Sequence, residues 1–307
     1  MLHTVWNALK RIFGMDGSWE VMTLARVGID PASVRSLTRV LQPVHTVRLR
    51  PESEEPADPV GSRMTSQLML SWHGITDPGM VRGQNEDHFA FLDLGTMTLF
   101  VVADGMGGHD AGEVASAIAV RSVCNEVRKD LVRGADPLAL VERAVQMANA
   151  EVKREGARKC SNMGTTLTVA LVVDDTAYIG SVGDSRLYWM ENGSITQVTE
   201  DHSLVAKLVS AGKLTREEAR NHPRSNLLYR TIGTDESVKA DAYRLGLNKG
   251  GTFLLCTDGL WGELDDEDIR GICAGEQHTE LICARLVQRA NANGGKDNIT
   301  AIVVKVI

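Results

Sequence analysis

The sequence lacks the features that mark several classes of protein. Its five cysteines are odd in number and form no C-x-x-C pair, so neither a disulfide framework nor a zinc knuckle is indicated. No apolar run approaches the ~20 residues of a membrane span. The first fifteen residues lack the long apolar core and the small-residue cleavage site of a signal peptide. We therefore expect a protein of the reducing cytoplasm, without a membrane span.

A basic surplus is also missing. The chain of 307 residues has a formal net charge of −7, which argues against a general nucleic-acid-binding protein. With 43% hydrophobic and 24% charged residues, the composition is that of an ordinary globular protein. The length allows one large domain or two small ones.

The composition changes near residue 51. Residues 1–50 hold seven Lys and Arg against three Asp and Glu, whereas residues 68–307 hold 25 against 33. The segment between them, residues 51–67, is rich in proline and acidic residues and is expected to be a linker. We therefore predict an N-terminal extension over 1–50 and one folded domain over 68–307.

The extension is expected to be helical. Apolar residues recur at helical spacing over 2–13, and Pro31 follows Asp30 at the start of a second helix-like stretch. Two interpretations stay open: an appendage that packs on the main domain or stands free, and a docking segment for a partner or a membrane surface. A third is that translation starts later, for instance at Met64.

From residue 68 onward, strand-like and helix-like runs are mixed. The strand-like runs mostly come in adjacent pairs joined by turn residues, which favours antiparallel hairpins and an α+β fold class. The predicted strands are 88–93, 98–103, 165–173, 176–182, 186–190, 252–257 and 299–306, and the predicted helices are 111–131, 137–154, 201–211, 215–220, 266–273 and 279–292.

Acidic residues stand at the ends of several of these strands. Asp104 and Asp258 each end an apolar run and each precede a glycine. A carboxylate at the end of a buried strand is costly unless it is paired or bound to a metal, and a neighbouring glycine lets the backbone turn sharply. Asp184, Asp297 and the Glu86–Asp87 pair lie at similar turns. Each alone is more often an ordinary turn residue, but five together indicate an oxygen-only site for Mg²⁺ or Mn²⁺.

The motifs that carry these residues occur in a specific order. They are "NED" at 85–87, "VADGMGGHDAGE" at 102–113, "GTTLT" at 164–168, "GDSRLY" at 183–188, "CTDGLW" at 256–261 and "GGKDNIT" at 294–300. This ordered set resembles the metal-dependent serine/threonine protein phosphatases, the PPM or PP2C family, in its bacterial form. The resemblance covers residues 68–307 and implies an α-β-β-α sandwich of two mainly antiparallel sheets flanked by helices.

The resemblance also implies a role for each matched position. Asp104 would bridge two metal ions, with the Gly105 carbonyl on one of them, and Asp258 and Asp297 would complete the other. Arg82 would grip the substrate phosphate, for which a guanidinium fork is well suited. The remaining matched residues are Glu86 and Asp87, which would hold a metal or its waters, and Asp184, which would belong to a third, weaker metal position.

The implied activity is the hydrolysis of phosphoserine and phosphothreonine on proteins. Two divalent ions can lower the pKa of a shared water, and the resulting metal-bridging hydroxide would attack phosphorus without a covalent enzyme intermediate. The phosphorylated proteins would be partners, and a cognate serine/threonine kinase would be the enzyme whose action is reversed. Residues 201–236 are similar to the flap segment of bacterial members. Two interpretations stay open: a packed helical insertion, and a mobile element near the cleft that sets substrate choice.

One position departs from many eukaryotic members. Their first motif reads Asp-Gly-His-Gly, whereas this chain has Met106 in place of the histidine. The proton donor to the leaving oxygen therefore stays open, with His88, His109 and a metal-bound water as options.

Two other functions fit the sequence less well. Cys283 and Arg289 have the C-x5-R spacing of a cysteine-based phosphatase, but they lie in a helical pattern without a glycine-rich loop. A non-catalytic binding module on the same fold is the alternative of another class; it would have lost metal-ligand positions, and here every matched ligand position is filled.

Overall fold

The structure is a computed structural model that describes residues 61–64, 68–107, 111–130, 134–220 and 222–307. All of these residues belong to the unit formed by residues 45–307. The predicted helical extension, and the linker as far as residue 60, lie outside the described residues. Residues Gly61–Met64, which fall in the predicted linker, form a strand that pairs with the next one, so the sheet starts before residue 68.

Twelve strands and seven helices are present in the described part of the chain. The strands are β1 Gly61–Met64, β2 Met69–Asp77, β3 Asp87–Asp93, β4 Met97–Met106, β5 Gly164–Thr165, β6 Leu167–Val173, β7 Thr176–Val182, β8 Arg186–Glu191, β9 Ser194–Gln197, β10 Asp241–Gly246, β11 Thr252–Cys256 and β12 Ile299–Val306. The helices are α1 Ala111–Asp130, α2 Pro137–Lys159, α3 Leu204–Ser210, α4 Arg216–Arg220, α5 Asp258–Trp261, α6 Asp266–Ala274 and α7 Thr279–Asn293.

The strands form two sheets in which every pairing between neighbours is antiparallel. One sheet has the order β1-β2-β12-β11-β8-β9, and the other has the order β10-β7-β6-β4-β3, with the short β5 paired to the end of β4. The two sheets stack, α1 and α2 cover the second sheet, and α7 covers β2 and β12 of the first. The predicted fold class, an α-β-β-α sandwich, is confirmed.

Two apolar layers hold the sandwich together. Between the sheets, Phe100 lies edge-on to Trp72 and to Phe253, with ring centroids 5.7 Å and 5.5 Å apart, a preferred geometry for aromatic pairs. Outside the second sheet, alanine and valine side chains of α1 and α2 pack against the other face of β4 and β6. Because both faces of these strands are covered, their sequences are continuous apolar runs and do not alternate between apolar and polar residues.

Local signals explain the ends of α2, the longest helix within the described ranges. Helix α2 begins where the Asp136 carboxylate accepts a hydrogen bond from the Ala139 amide, with Pro137 at the first helical position. It ends at Cys160, whose backbone is left-handed with φ of 50°. The prediction ended this helix at 154, five residues early, because polar residues dominate its last turns.

Candidate metal and phosphate site

One end of the sandwich collects the acidic residues singled out from the sequence. Asp104 lies near the end of β4 and directly faces Asp87, the first residue of β3. Asp258 follows β11, Asp297 precedes β12, and Asp184 connects β7 to β8. Because neighbouring strands are antiparallel, the end of one strand and the start of the next lie at the same edge of the sandwich. The fold therefore brings residues from 87 to 297 to one place.

Asp104 and Asp258 form the centre of this group. Burial is the main reason that both side chains have a raised pKa. The charge of the nearby Asp258 raises the pKa of Asp104 further. The pKa of Asp258 is raised to about 6, with the charge of Asp297 as the second cause, while a hydrogen bond shared with Asp104 lowers it in part. A buried oxygen of Asp258, Oδ1, has no hydrogen-bond partner. Such a group is costly unless a cation compensates it.

Asp87 is held from one side only. Its Oδ2 accepts hydrogen bonds from the hydroxyls of Thr257 and Thr300, each at 2.7 Å, while its buried Oδ1 has no partner. The side chain is 4% exposed, and burial raises its pKa well above the usual range. Thr257 directly precedes Asp258 and Thr300 lies three residues after Asp297, so the two hydrogen bonds fix Asp87 relative to the segments that carry both aspartates.

Arg82 and Asp297 bind each other at the rim of the site. The guanidinium Nη2 donates to Asp297 Oδ2 at 2.7 Å, with the two side chains 51% and 29% exposed. Asp297, followed by Glu86 and Asp104, raises the pKa of Arg82. A pair this exposed contributes only about 0–1 kcal/mol. It can therefore open when a phosphate dianion competes for Arg82 or a cation competes for Asp297.

Glycines allow the backbones around Glu86 to approach closely. The Gly105 amide donates to the Glu86 carbonyl at 3.1 Å, and a Cβ on Gly105 would lie 2.1 Å from the Gly112 carbonyl oxygen. A Cβ on Gly112 would in turn lie 2.6 Å from the Glu86 carboxylate. Glu86 therefore rests against the first turn of α1, where the helix dipole favours a negative charge.

Asp184 lies in a tightly bonded turn. Its side chain is 4% exposed, and burial, followed by the charges of Asp258 and Asp201, raises its pKa. The Trp261 indole N–H donates to the Asp184 carbonyl at 3.0 Å. On the other side, the Gly183 amide donates to Nδ1 of the buried His202 at 3.0 Å. This turn is thereby tied both to α5, which begins at Asp258, and to the start of the 201–236 segment.

These residues fit divalent cations by two observations. Asp87 and Asp258 each have a buried carboxylate oxygen without a hydrogen-bond partner. The other groups that could coordinate a metal here are also oxygen atoms, the ligands that Mg²⁺ and Mn²⁺ prefer. In the part of the chain that the structure describes, however, no three His, Cys, Asp or Glu side chains are gathered so as to hold an ion by themselves. Asp297, one of the expected ligands, is bonded to Arg82.

Asn298 is a site residue that the sequence analysis missed. Its side-chain amide donates to the carbonyls of Pro78 and Gln84, at 3.1 Å and 2.8 Å, and its Oδ1 accepts from the Glu86 amide at 2.8 Å. One buried side chain therefore holds both ends of the loop that carries Arg82. Only its position next to Asp297 could have pointed to it, because hydrogen bonds over 212 to 220 residues leave no local pattern.

The options for a proton donor are partly resolved. His88 is buried on β3, and its Nδ1 lies 2.9 Å from the Ser116 hydroxyl, so it is engaged in the interior. His109 lies outside the described residues. Met106, at the position of the eukaryotic histidine, is the last residue of β4.

Cys283 is not arranged as a nucleophile. It is buried in α7, its thiol donates to the His73 carbonyl at 3.3 Å, and burial raises its pKa. Since the thiolate is the reactive form, this environment disfavours reaction. Arg289 lies 3.6 Å from Asp268 on the surface.

The segment 201–236 contains α3 and α4 and is tied to the site at three points. Its start is bonded to Gly183 through His202, and Ile232 pairs with Thr165, whose hydroxyl donates to the Asp104 carbonyl. Arg220 donates to the carbonyls of Trp261 and Leu264. Whether it moves as a flap stays a prediction.

Comparison with known proteins identifies the family. The family model described as "Protein phosphatase 2C" matches residues 82–303. The chain belongs to this family, as the motif order predicted, and the expected enzyme class, a protein phosphatase, is confirmed with it.

Several serine/threonine phosphatases are similar to this chain over most of its length. The serine/threonine phosphatase Stp of Listeria monocytogenes is 35% identical over 235 residues, which are 75% of this chain and 93% of that protein. Among solved structures, Stp1 from Staphylococcus aureus matches 80% of this chain and 99% of its own at a TM-score of 0.72 and 32% identity. The catalytic domain of PstP in complex with two manganese ions matches 78% and 100% at a TM-score of 0.70, also at 32% identity.

Proposed function

We propose that this protein hydrolyses phosphoserine and phosphothreonine on proteins and that it requires Mn²⁺ or Mg²⁺. The observation that carries the proposal is the joining of Asp104 and Asp258, two carboxyl groups with raised pKa values, at the same end of the sandwich as the Arg82–Asp297 pair. The names of the relatives, and the manganese ions of one of them, support it.

Four of the aspartates would bind divalent cations. Asp104, Asp258 and Asp297, with the Gly105 carbonyl, would hold two divalent cations, and Asp184 would serve a third, weaker position. Bound cations would supply a water of lowered pKa as the nucleophile and would take up charge on the phosphoryl oxygens.

The protein's own part is binding and orientation. Arg82, half-exposed at the rim, would bind the phosphate through its guanidinium fork. Asp87, fixed by two threonine hydroxyls, and Glu86, which lies against the first turn of α1, are two further carboxyl groups beside the central pair that would hold a metal ion or its waters. Attack by a bridging hydroxide stays a prediction.

A serine/threonine kinase as counterpart and a cytoplasmic location complete the proposal. None of the helices in the described residues is both long and apolar enough to cross a membrane. A partner-docking role for residues 1–50 stays a prediction, because that segment lies outside the described residues.

The test is hydrolysis of a phosphothreonine peptide and of p-nitrophenyl phosphate with Mn²⁺ or with EDTA. We expect turnover that requires Mn²⁺ and that falls by a factor of about 10³ or more in Asp104→Asn, because that change removes charge from the centre of the site. The matched control is Asp174→Asn, an exposed turn residue at the far end of β6 with φ of 53°, which asparagine also tolerates. No turnover by the folded, Mn²⁺-loaded full chain would favour the non-catalytic binding module.

A second prediction concerns Asn298. The change Asn298→Asp keeps a side-chain oxygen that can accept from the Glu86 amide. It replaces the side-chain NH₂ group, which donates to the carbonyls of Pro78 and Gln84, by a second oxygen that cannot donate. We expect kcat/KM to fall by about 10²-fold, since a displacement of ~1 Å at a reacting group is enough for that. The control is Asn192→Asp in the exposed β8–β9 turn. Unchanged kcat/KM for Asn298→Asp would show that the loop does not depend on this residue.

A further inference from the structure

Two large apolar side chains lie exposed beside the proposed phosphate-binding arginine. Val81 is 68% exposed and Met80 is 60% exposed, the two highest values for large hydrophobic residues in the described part of the chain. We call this pair the apolar ledge. Single exposed apolar residues are common, but here two are consecutive and directly precede Arg82.

The apolar ledge belongs to a loop whose backbone is held by hydrogen bonds. The Met80 amide donates to the Gly295 carbonyl at 2.7 Å, and the Gly79 amide donates to the Asp77 carboxylate at 2.8 Å. Gly79 has φ of +77°, and a Cβ there would lie 2.2 Å from the Asp297 carbonyl oxygen. The loop is therefore packed closely on the segment that carries Asp297. Little backbone conformational entropy of the loop remains to be lost when a ligand contacts it.

We propose that the apolar ledge contacts an apolar side chain next to the phosphorylated residue of a substrate protein. The occupant is argued from continuity with the phosphate site, because Val81 is the residue next to Arg82 and both it and Met80 are exposed on the same loop. Consecutive Cα atoms lie ~3.8 Å apart in any chain, so a substrate whose phosphate is bound by Arg82 has its flanking residues within reach of this loop. Gly83, on the other side of Arg82, has open space where a Cβ would be, so the loop leaves room for a passing chain.

This inference rests on the proposed phosphatase activity and adds a preference to it. Burial of apolar surface against the ledge would favour substrates with leucine-like residues beside the phosphothreonine. Serine in the same places would gain nothing from that contact. The ledge is thus a specificity-determining surface for the peptide, separate from the groups that bind the phosphate.

The experiment compares two phosphothreonine peptides of equal length and charge. One has leucine on both sides of the phosphothreonine and the other has serine, and p-nitrophenyl phosphate reports on the phosphate site alone. We expect the full-length protein with Mn²⁺ to prefer the leucine peptide by about fivefold in kcat/KM, the ratio that ~1 kcal/mol gives. In the double variant Met80→Gln and Val81→Thr, which keeps side-chain size, the ratio should fall to about one.

The matched control is Met147→Gln, on the exposed face of α2, where Met147 is 38% exposed. It should keep the preference. The inference is overturned if the unaltered protein shows no preference, if the double variant keeps it, or if the double variant loses as much kcat/KM with p-nitrophenyl phosphate as with the leucine peptide. Absence of hydrolysis of all three compounds would instead overturn the proposed function, and this inference with it.

Discussion

Asp258→Asn is expected to abolish phosphatase activity and, without metal, to make the fold more stable. Both effects have one cause. Asp258 lies in a group of carboxyl groups whose pKa values are raised by burial and by one another's charge. Such an arrangement is unfavourable for the metal-free fold at neutral pH and becomes favourable when divalent cations bind.

The direction of the pH dependence follows from the raised pKa. With a folded pKa of about 6 against 3.8 for the ordinary side chain, folded Asp258 holds more protons than unfolded Asp258 between these values. The free energy of unfolding therefore falls as pH rises through this window, and the full penalty, about 3 kcal/mol, is present at pH 7.5. Asparagine has no charge to desolvate, so the penalty disappears.

The measurement is thermal unfolding in EDTA at pH 5 and pH 7.5, followed by the same scans with Mn²⁺. We expect Asp258→Asn to raise the metal-free Tm at pH 7.5 by roughly 8 °C, to raise it less at pH 5, and to lose most of the stabilisation by Mn²⁺. Asp174→Asn should behave as the unaltered protein does. A lower metal-free Tm for Asp258→Asn at pH 7.5 would contradict the repulsion argument, and full turnover at saturating Mn²⁺ would contradict the site.

Local patterns predicted those strands whose residues are apolar on both faces. Strand β4 was predicted as 98–103, which is its unbroken buried run, and it is observed as Met97–Met106, with mostly half-buried residues extending it at both ends. Strand β10 was missed because its side chains alternate between half-buried and exposed at the edge of its sheet, and its sequence holds charged and small residues. Strand β2 was missed because glycine and histidine interrupt its apolar pattern.

The site shows the same limit. Asp104 and Asp258 could be selected because each ends an apolar run and precedes a glycine. Asp297 could be selected because it follows two glycines and precedes an apolar strand. What orients them could not, since Thr257 and Thr300 reach Asp87 across 170 and 213 residues. The pairing of Arg82 with Asp297 was also not anticipated, because the motifs assign one to the phosphate and the other to the metal.

That pairing gives the second prediction with a large effect: Arg82→Ala should weaken phosphate binding and strengthen metal binding. Removing the guanidinium takes away the fork that would hold the phosphate, so KM for the phosphothreonine peptide should rise by about 10²-fold, as for the loss of a bidentate charged contact. The same change frees Asp297 Oδ2 from its bond at 2.7 Å and removes a positive charge beside the cations. Mn²⁺ should therefore bind a few-fold more tightly.

Arg82→Lys separates the two effects. A lysine keeps the positive charge but not the planar fork, so we expect a raised KM for the peptide with Mn²⁺ affinity close to that of the unaltered protein. Calorimetric titration with Mn²⁺ and steady-state kinetics at saturating Mn²⁺ measure the two quantities independently. Weaker Mn²⁺ binding in Arg82→Ala would mean that Arg82 holds Asp297 in place for the metal and does not compete with it. An unchanged KM would remove Arg82 from the phosphate site, and the apolar ledge would then lose the anchor that places a peptide over it.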